Sequence, residues 1–178
     1  MIITISGLAG TGTTSVSTML KKKLGYEYIY AGQIFRDEAK KLNMNIGEFA
    51  SYLSDHPDLD KDIDQRMVTF AKKHPNAILE GRLSAWMIER AHISAIKILL
   101  TAPLSVSADR VAKRDNMSLK EATEKVKERD TVDRKRYLKL YNIDIEDNSV
   151  YDISFDTSQF TLEEEVESIL EYIKGKDV

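Results

Sequence analysis

The sequence predicts an α/β fold of three layers, α/β/α, on a five-stranded parallel sheet. Two observations carry this reading. Five short runs of aliphatic and β-branched residues alternate with segments of helical period, the pattern of parallel strands joined by right-handed helical crossovers. A glycine-rich stretch ends the first run and leads directly into the first helical segment, which fixes one strand–turn–helix unit. The chain has 178 residues, enough for one well-buried core and short for two. No repeat, low-complexity tract or Pro/Gly-rich linker divides it, so residues 1–178 read as a single domain.

Taken in order, Ile2, Ile3, Thr4 and Ile5 form a β-branched run that stops at glycines, a buried strand. Residues 14–24 carry Val16, Met19, Leu20 and Leu24 at helical spacing, with Gly25 placed to end the helix. Residues 26–30 are a second strand. Three helices follow over 36–42, 46–53 and 60–73, separated by Asn43-Met44-Asn45 and His56-Pro57. Residues 77–79 form the third strand, and a short helix over 83–91 carries Trp86, a core residue whose closeness to Arg82 leaves a base-stacking role open. The fourth strand covers 95–101 and Pro103 stops it. One long charged helical stretch is expected over 105–140. Residues 150–155 form the fifth strand, and Thr161 opens a last helix whose Glu163, Glu164 and Glu165 suit the positive end of a helix dipole.

Composition narrows the function. Hydrophobic residues at 42% and charged residues at 31% describe a globular chain, and a net charge of -3 gives no general attraction to nucleic acid. Without cysteine there is no disulfide framework, thiol nucleophile or thiolate zinc site. No secretory leader precedes the first strand, and the apolar stretch at 96–100 is far too short for a bilayer. The expectation is a cytoplasmic protein, monomeric, with neither membrane nor nucleic acid as partner. His56, His74 and His92 show no metal-ligand spacing.

The chemistry concentrates in the glycine-rich loop. Gly7, Leu8, Ala9, Gly10, Thr11, Gly12, Thr13, Thr14 and Ser15 lie between strand and helix with the spacing of a phosphate-binding P-loop, Gly-x4-Gly followed by a hydroxyl. Backbone N–H groups and the helix N-terminus hold phosphate in such a loop, and Thr14 stands where a hydroxyl ligates Mg²⁺. Thr13 occupies the place of the usual lysine, so the positive charge must come from elsewhere. Eleven Lys and Arg against seven Asp and Glu leave residues 109–139 at +4. Arg110 and Arg114 share one helix face there, as do Arg129, Asp133 and Arg136. Arginine is the donor suited to bidentate phosphate binding.

With these residues in place the sequence resembles the cytidylate kinases, of the compact archaeal kind, within the P-loop nucleoside monophosphate kinases. The likeness covers nearly the whole chain: Thr11-Gly12-Thr13-Thr14 in the loop, Ala31 through Arg36 after the second strand, Glu80-Gly81-Arg82 after the third, Glu128-Arg129-Asp130 through Arg136, and Asp156-Thr157-Ser158 after the fifth. It implies a P-loop NTPase core over 1–30, 75–108 and 147–178, a helical NMP-binding segment over 31–74 and a lid over 109–146. It implies ATP as donor, Mg²⁺ held by Thr14 and through water by Glu80, and CMP or dCMP as acceptor. Arg36, Arg82, Arg129 and Asp133 are then acceptor ligands, Asp133 at the ribose, while Arg110, Arg114, Arg129 and Arg136 cover the transferred phosphate. Asp156-Thr157-Ser158 corresponds to the turn beside the donor's base.

Three departures limit the transfer: bacterial relatives have lysine at the place of Thr13, aspartate at the place of Leu83, and a larger insertion that helps read cytosine. The cytosine-reading residues are therefore unassigned. The alternatives are another small-molecule P-loop kinase, of adenylate or UMP type, or a nucleotide-binding module without catalysis. Glu80-Gly81-Arg82-Leu83 lacks the Asp-Gly-Phe-Pro-Arg of adenylate kinases, and Tyr30-Ala31-Gly32 lacks the Asp-x-Asp of shikimate kinases.

Overall fold

The computed structural model describes residues 1–176. Five strands form one all-parallel sheet in the order β2-β3-β1-β4-β5: β1 (Ile2–Gly7), β2 (Glu27–Tyr30), β3 (Ala77–Glu80), β4 (Ala95–Thr101) and β5 (Ile153–Asp156). β1 lies between β3 and β4, with Ile3 beside Ile78 on one side and Ile96 on the other. Chain order reverses at β1, so the loop after it opens at the crevice where parallel α/β sheets bind ligands.

Both faces of the sheet are covered. α1 (Thr13–Leu24) and α8 (Leu162–Lys174) bury Val16, Leu20, Val166 and Ile169 against Ile3, Ile5, Ile78 and Ile98. On the other face α4 (Pro57–Lys73) and α5 (Ser84–Arg90) set Met67, Ala71 and Ile88 against Ile2, Ala77 and Leu79. The three-layer α/β/α expectation holds. Burial on both faces explains why the strands read as continuous apolar runs rather than alternating ones. α2 (Ala31–Lys41) and α3 (Ile46–Asp55) join α4 in a separate apolar cluster around Phe49, Leu53 and Ile63. Among the described residues no helix is long and apolar enough to cross a membrane.

Four local expectations change. The second helix begins at Ala31, not at 36, because Gly32 sits in its first turn beneath the Tyr30 ring, where a Cβ would lie 2.6 Å from ring atoms. Pro57 opens α4 instead of separating it from α3, which is the one helical position where a missing N–H costs nothing. The long stretch over 105–140 is two helices, α6 (Leu104–Asp115) and α7 (Leu119–Tyr141). Asn116 turns left-handed at φ 51°, and Ser118 with Glu121 forms a capping box that restarts the chain. β5 starts at Ile153, since Asp147 and Asn148 hold residues 147–151 in a turn that buries Val150.

Candidate active site

The glycine-rich loop runs from the end of β1 into α1, as expected from its spacing. Gly10 takes φ 80°, and a Cβ there would lie 2.6 Å from the Ser107 carbonyl oxygen, so α6 packs hard against the loop backbone. Thr11 closes the turn, donating through both its amide and its hydroxyl to Leu8 O. At its far end Thr13 and Thr14 donate to the same oxygen, Glu80 Oε1, at 2.9 and 2.6 Å. The other oxygen, Oε2, accepts from the Tyr28 hydroxyl. Glu80 ends β3 and is 1% exposed, so three hydroxyls keep a buried carboxylate satisfied beside the start of α1. Burial, then Glu80 itself, push the Tyr28 phenol upward, so it stays a donor.

Glu80 beside Thr14 fits the expected metal site in its chemistry. Mg²⁺ takes hard oxygen ligands, commonly one or two from protein with the rest from water and phosphate. Thr14 is exposed and supplies one such oxygen, with the carboxylate immediately behind it.

On the opposite side of the loop stands a relay of alternating charge. The Ala9 amide donates to Asp130 Oδ1 of α7 at 3.2 Å. Asp130 Oδ1 is 2.7 Å from Arg82 Nη2, and Arg82 Nε is 3.1 Å from Asp133 Oδ2. Asp133 Oδ1 is in turn 3.3 Å from Arg136 Nη2, whose Nε is 3.3 Å from Asp60 Oδ2 on α4. Burial works against the Arg136 charge, but Tyr137, Asp133 and Asp60 outweigh it and hold its pKa above the ordinary value. Arg129 differs. Loss of solvent at its guanidinium and the nearby Arg82 both lower its pKa, with Asp133 opposing.

The structure thus brings together Ala9, Arg82, Arg129, Asp133 and Arg136, and separately Thr13, Thr14 and Glu80. Arg110 is beside the loop as a staple: it donates to Gly10 O at 3.3 Å, to the Thr157 hydroxyl at 2.7 Å and to Thr157 O at 2.8 Å. Arg36 is exposed, lies over the Tyr30 ring at 4.9 Å and donates to Gln33. Arg114 is exposed and pairs with Asp115 of its own helix. Neither is part of the relay. Leu83 is buried in an apolar cluster with Tyr137 and Ile143, and Trp86 packs against that cluster.

Sequence reasoning missed Tyr28, Asp60, Asp64 and the bridging role of Asp130. For α4 a signal existed. Asp60 and Asp64 share the buried stripe of Ile63, Met67, Val68 and Ala71, and a carboxylate on an apolar stripe is never neutral for stability.

A family model described as the cytidylate kinase-like family matches residues 2–159. The cytidylate kinase of Pyrococcus abyssi (strain GE5 / Orsay) is 47% identical over 163 residues, 92% of this chain and 88% of the relative. That of Thermococcus kodakarensis is 47% identical over 160 residues, 90% of this chain and 81% of the relative. Among solved structures, the shikimate kinase of Bacteroides thetaiotaomicron aligns over 98% of each chain with a TM-score of 0.64 at 13% identity, a likeness of fold alone. The loop between β1 and α1, the arginine after β3 and the lengthwise match to these relatives agree: the chain belongs to the cytidylate kinase-like family.

Proposed function

We propose that the chain is a cytidylate kinase that transfers a phosphoryl group from ATP, with Mg²⁺, to CMP or dCMP. One observation carries the reading beyond the family: Arg82 sits at the junction between the loop and the acceptor-side helices, bridged to Asp130 on one side and Asp133 on the other. A guanidinium at that junction is where an acceptor phosphate must lie to face a donor held by Gly7 to Ser15. The loop's fitness for phosphate has a direct sign, since its Ala9 amide already donates to an anion, the Asp130 carboxylate.

Phosphoryl transfer needs alignment and positive charge more than covalent chemistry. The loop amides and the N-terminus of α1 bind the donor's phosphates. Thr14 and Glu80 would hold Mg²⁺, Glu80 through water; the ion neutralises phosphate charge when bound. Arg82 and Arg36 grip the acceptor phosphate, Asp133 accepts from its ribose, Arg129 covers the transferred group, and Arg136, paired with Asp133 and Asp60, serves the acceptor's far end. Arg110 fixes the loop against the β5–α8 turn. Arg114 contributes charge at the rim. These arginines replace the lysine that Thr13 displaces.

Residues 31–74 act as the acceptor-binding segment and residues 109–146 as the lid on the 1–30, 75–108 and 147–178 core. Because Ser107 and Arg110 of α6 both touch the loop, the first part of the lid is fixed, and we place the hinge about which the rest moves at Asn116–Ser118, between α6 and α7. Closure of α7 over the loop excludes water as a competing acceptor.

The experiment is a coupled assay with ATP and Mg²⁺ against CMP, dCMP, UMP, AMP and GMP. CMP or dCMP is expected to be the preferred acceptor. No diphosphate from any acceptor would leave only a binding module, and preference for AMP would move the chain to another acceptor class.

A further inference from the structure

A line of polar groups leads away from the phosphate loop: Ala9, Asp130, Arg82, Asp133, Arg136 and Asp60, each within 3.3 Å of the next. One helical turn along α4 from Asp60, Asp64 accepts from the Tyr141 hydroxyl at 2.8 Å. On the function proposed above, which this inference rests on, the acceptor's phosphate lies at Arg82 and its ribose at Asp133. Its base then reaches Arg136, Asp60 and Asp64.

The fold gives no reason for carboxylates at this end. Asp60 is 3% exposed and Asp64 7%, both in the apolar stripe of α4. Among the described residues the one guanidinium paired with Asp60 is Arg136, which it shares with Asp133. That pairing is oblique: Arg136 Nε, 3.3 Å from Asp60 Oδ2, is buried without a hydrogen-bond acceptor. Asp60 therefore has an ion pair but no hydrogen bond among the described residues, an unfavourable state for a carboxylate so deeply buried. Asp60 and Arg136 both line a cavity of about 260 Å³ between α3, α4 and α7. The missing donor has room to come from a ligand.

Cytosine presents such a donor. Its exocyclic amino group is N–H₂ where uracil has a carbonyl oxygen, and aspartate is a natural acceptor for it. We infer that Asp60 accepts a hydrogen bond from the exocyclic amino group of the acceptor's cytosine, with Asp64, held by Tyr141, closing the base pocket. Uracil would set its O4 against the same carboxylate, acceptor against acceptor in a desolvated site, so Asp60 also rejects UMP. Arg136 donates to the ring carbonyl that both bases share, and so adds affinity without discrimination. Burial, opposed by the Tyr141 hydrogen bond, raises Asp64 to about 7, which lessens the negative charge this pocket must hold.

The test uses the full chain with ATP, Mg²⁺ and three acceptors: CMP, UMP and the CMP analogue lacking the 4-amino group. Each is measured with the parent, Asp60→Asn and Asp64→Asn, with thermal melting as a check on folding. The parent is expected to favour CMP over both others by about a hundredfold or more in kcat/KM. Asp60→Asn is expected to remove most of that preference by lowering the CMP value and raising the UMP value, leaving the analogue within about threefold of the parent. An equal loss on all three acceptors marks a purely structural carboxylate and overturns the inference. So does a parent that uses the analogue as well as CMP. Should Asp60→Asn fail to fold, Asp60→Glu keeps the charge, moves it by one methylene and is read by the same CMP-to-UMP ratio. A parent that phosphorylates no cytosine nucleotide overturns the proposed function and this inference with it. A cytidylate kinase whose ratio ignores position 60 overturns the inference alone.

Discussion

The carboxylate of Asp130 accepts a hydrogen bond from the backbone amide of Ala9 at 3.2 Å while pairing with Arg82 at 2.7 Å. One residue of α7 thereby occupies both a loop donor and the guanidinium assigned to the acceptor phosphate. It does so as an anion, the chemistry that both groups are built to bind.

On the proposed function, nucleotide binding displaces this contact. A charge-assisted hydrogen bond is worth about 1.5–3 kcal/mol net, and part of that opposes binding. Asp130→Ala is expected to lower the dissociation constant for ATP by about threefold to tenfold, read by calorimetry. If Asp130 instead served the bound nucleotide, the constant would rise.

Restoring the lysine tests whether the loop is defective. Thr13 donates to Glu80 at 2.9 Å, so a lysine at this position would meet that buried carboxylate. Thr13→Lys is expected to leave turnover within about threefold of the parent or lower it. A tenfold gain would mean that the arginines do not replace the missing cation.

Stability should carry a pH signature from Glu165 of α8. Burial lifts its carboxyl from 4.5 to about 7, with Arg110 opposing and Asp156 assisting, and its Oε1 is buried without a hydrogen-bond partner. The folded protein therefore binds a proton that the unfolded chain has released between these values. The stabilisation is complete below about pH 4.5 and is lost as pH rises through about 7. Glu165→Gln is expected to melt higher than the parent at pH 8, by roughly 3–6 °C, and to lose that advantage at pH 5. Parallel melting curves across this range would contradict the assignment.

What could be read in the sequence, and what could not, follows from how local each signal is. The loop was legible because strand, glycines, hydroxyls and helix are contiguous from Ile2 to Leu24. The strands were legible because burial on both faces makes them apolar throughout. The break between α6 and α7 was readable in principle from Asn116 and the Ser118–Glu121 capping box, but the charge pattern on either side masked it. The Ala9–Asp130 contact joins residues 121 positions apart, and no local pattern encodes it. Asp60 and Asp64 were hidden differently. They share the helical spacing of Ile63, Met67, Val68 and Ala71, but the other charges of the same helix masked that signal.

The proposed function requires arginines on other elements to supply the charge that the loop lacks, and removing Arg129 probes that requirement. Arg82 and Arg136 are each paired with carboxylates, whereas Arg129 is an exposed residue, and partial loss of solvent at its guanidinium together with the nearby Arg82 lowers its pKa. The measurement is single-turnover phosphoryl transfer from ATP to CMP by Arg129→Ala, with folding confirmed by an unchanged melting temperature. A fall of about a hundredfold to ten-thousandfold is expected, in the range found when a guanidinium is removed from a phosphoryl-transfer site. A rate within about threefold of the parent would mean that Arg129 does not supply this charge.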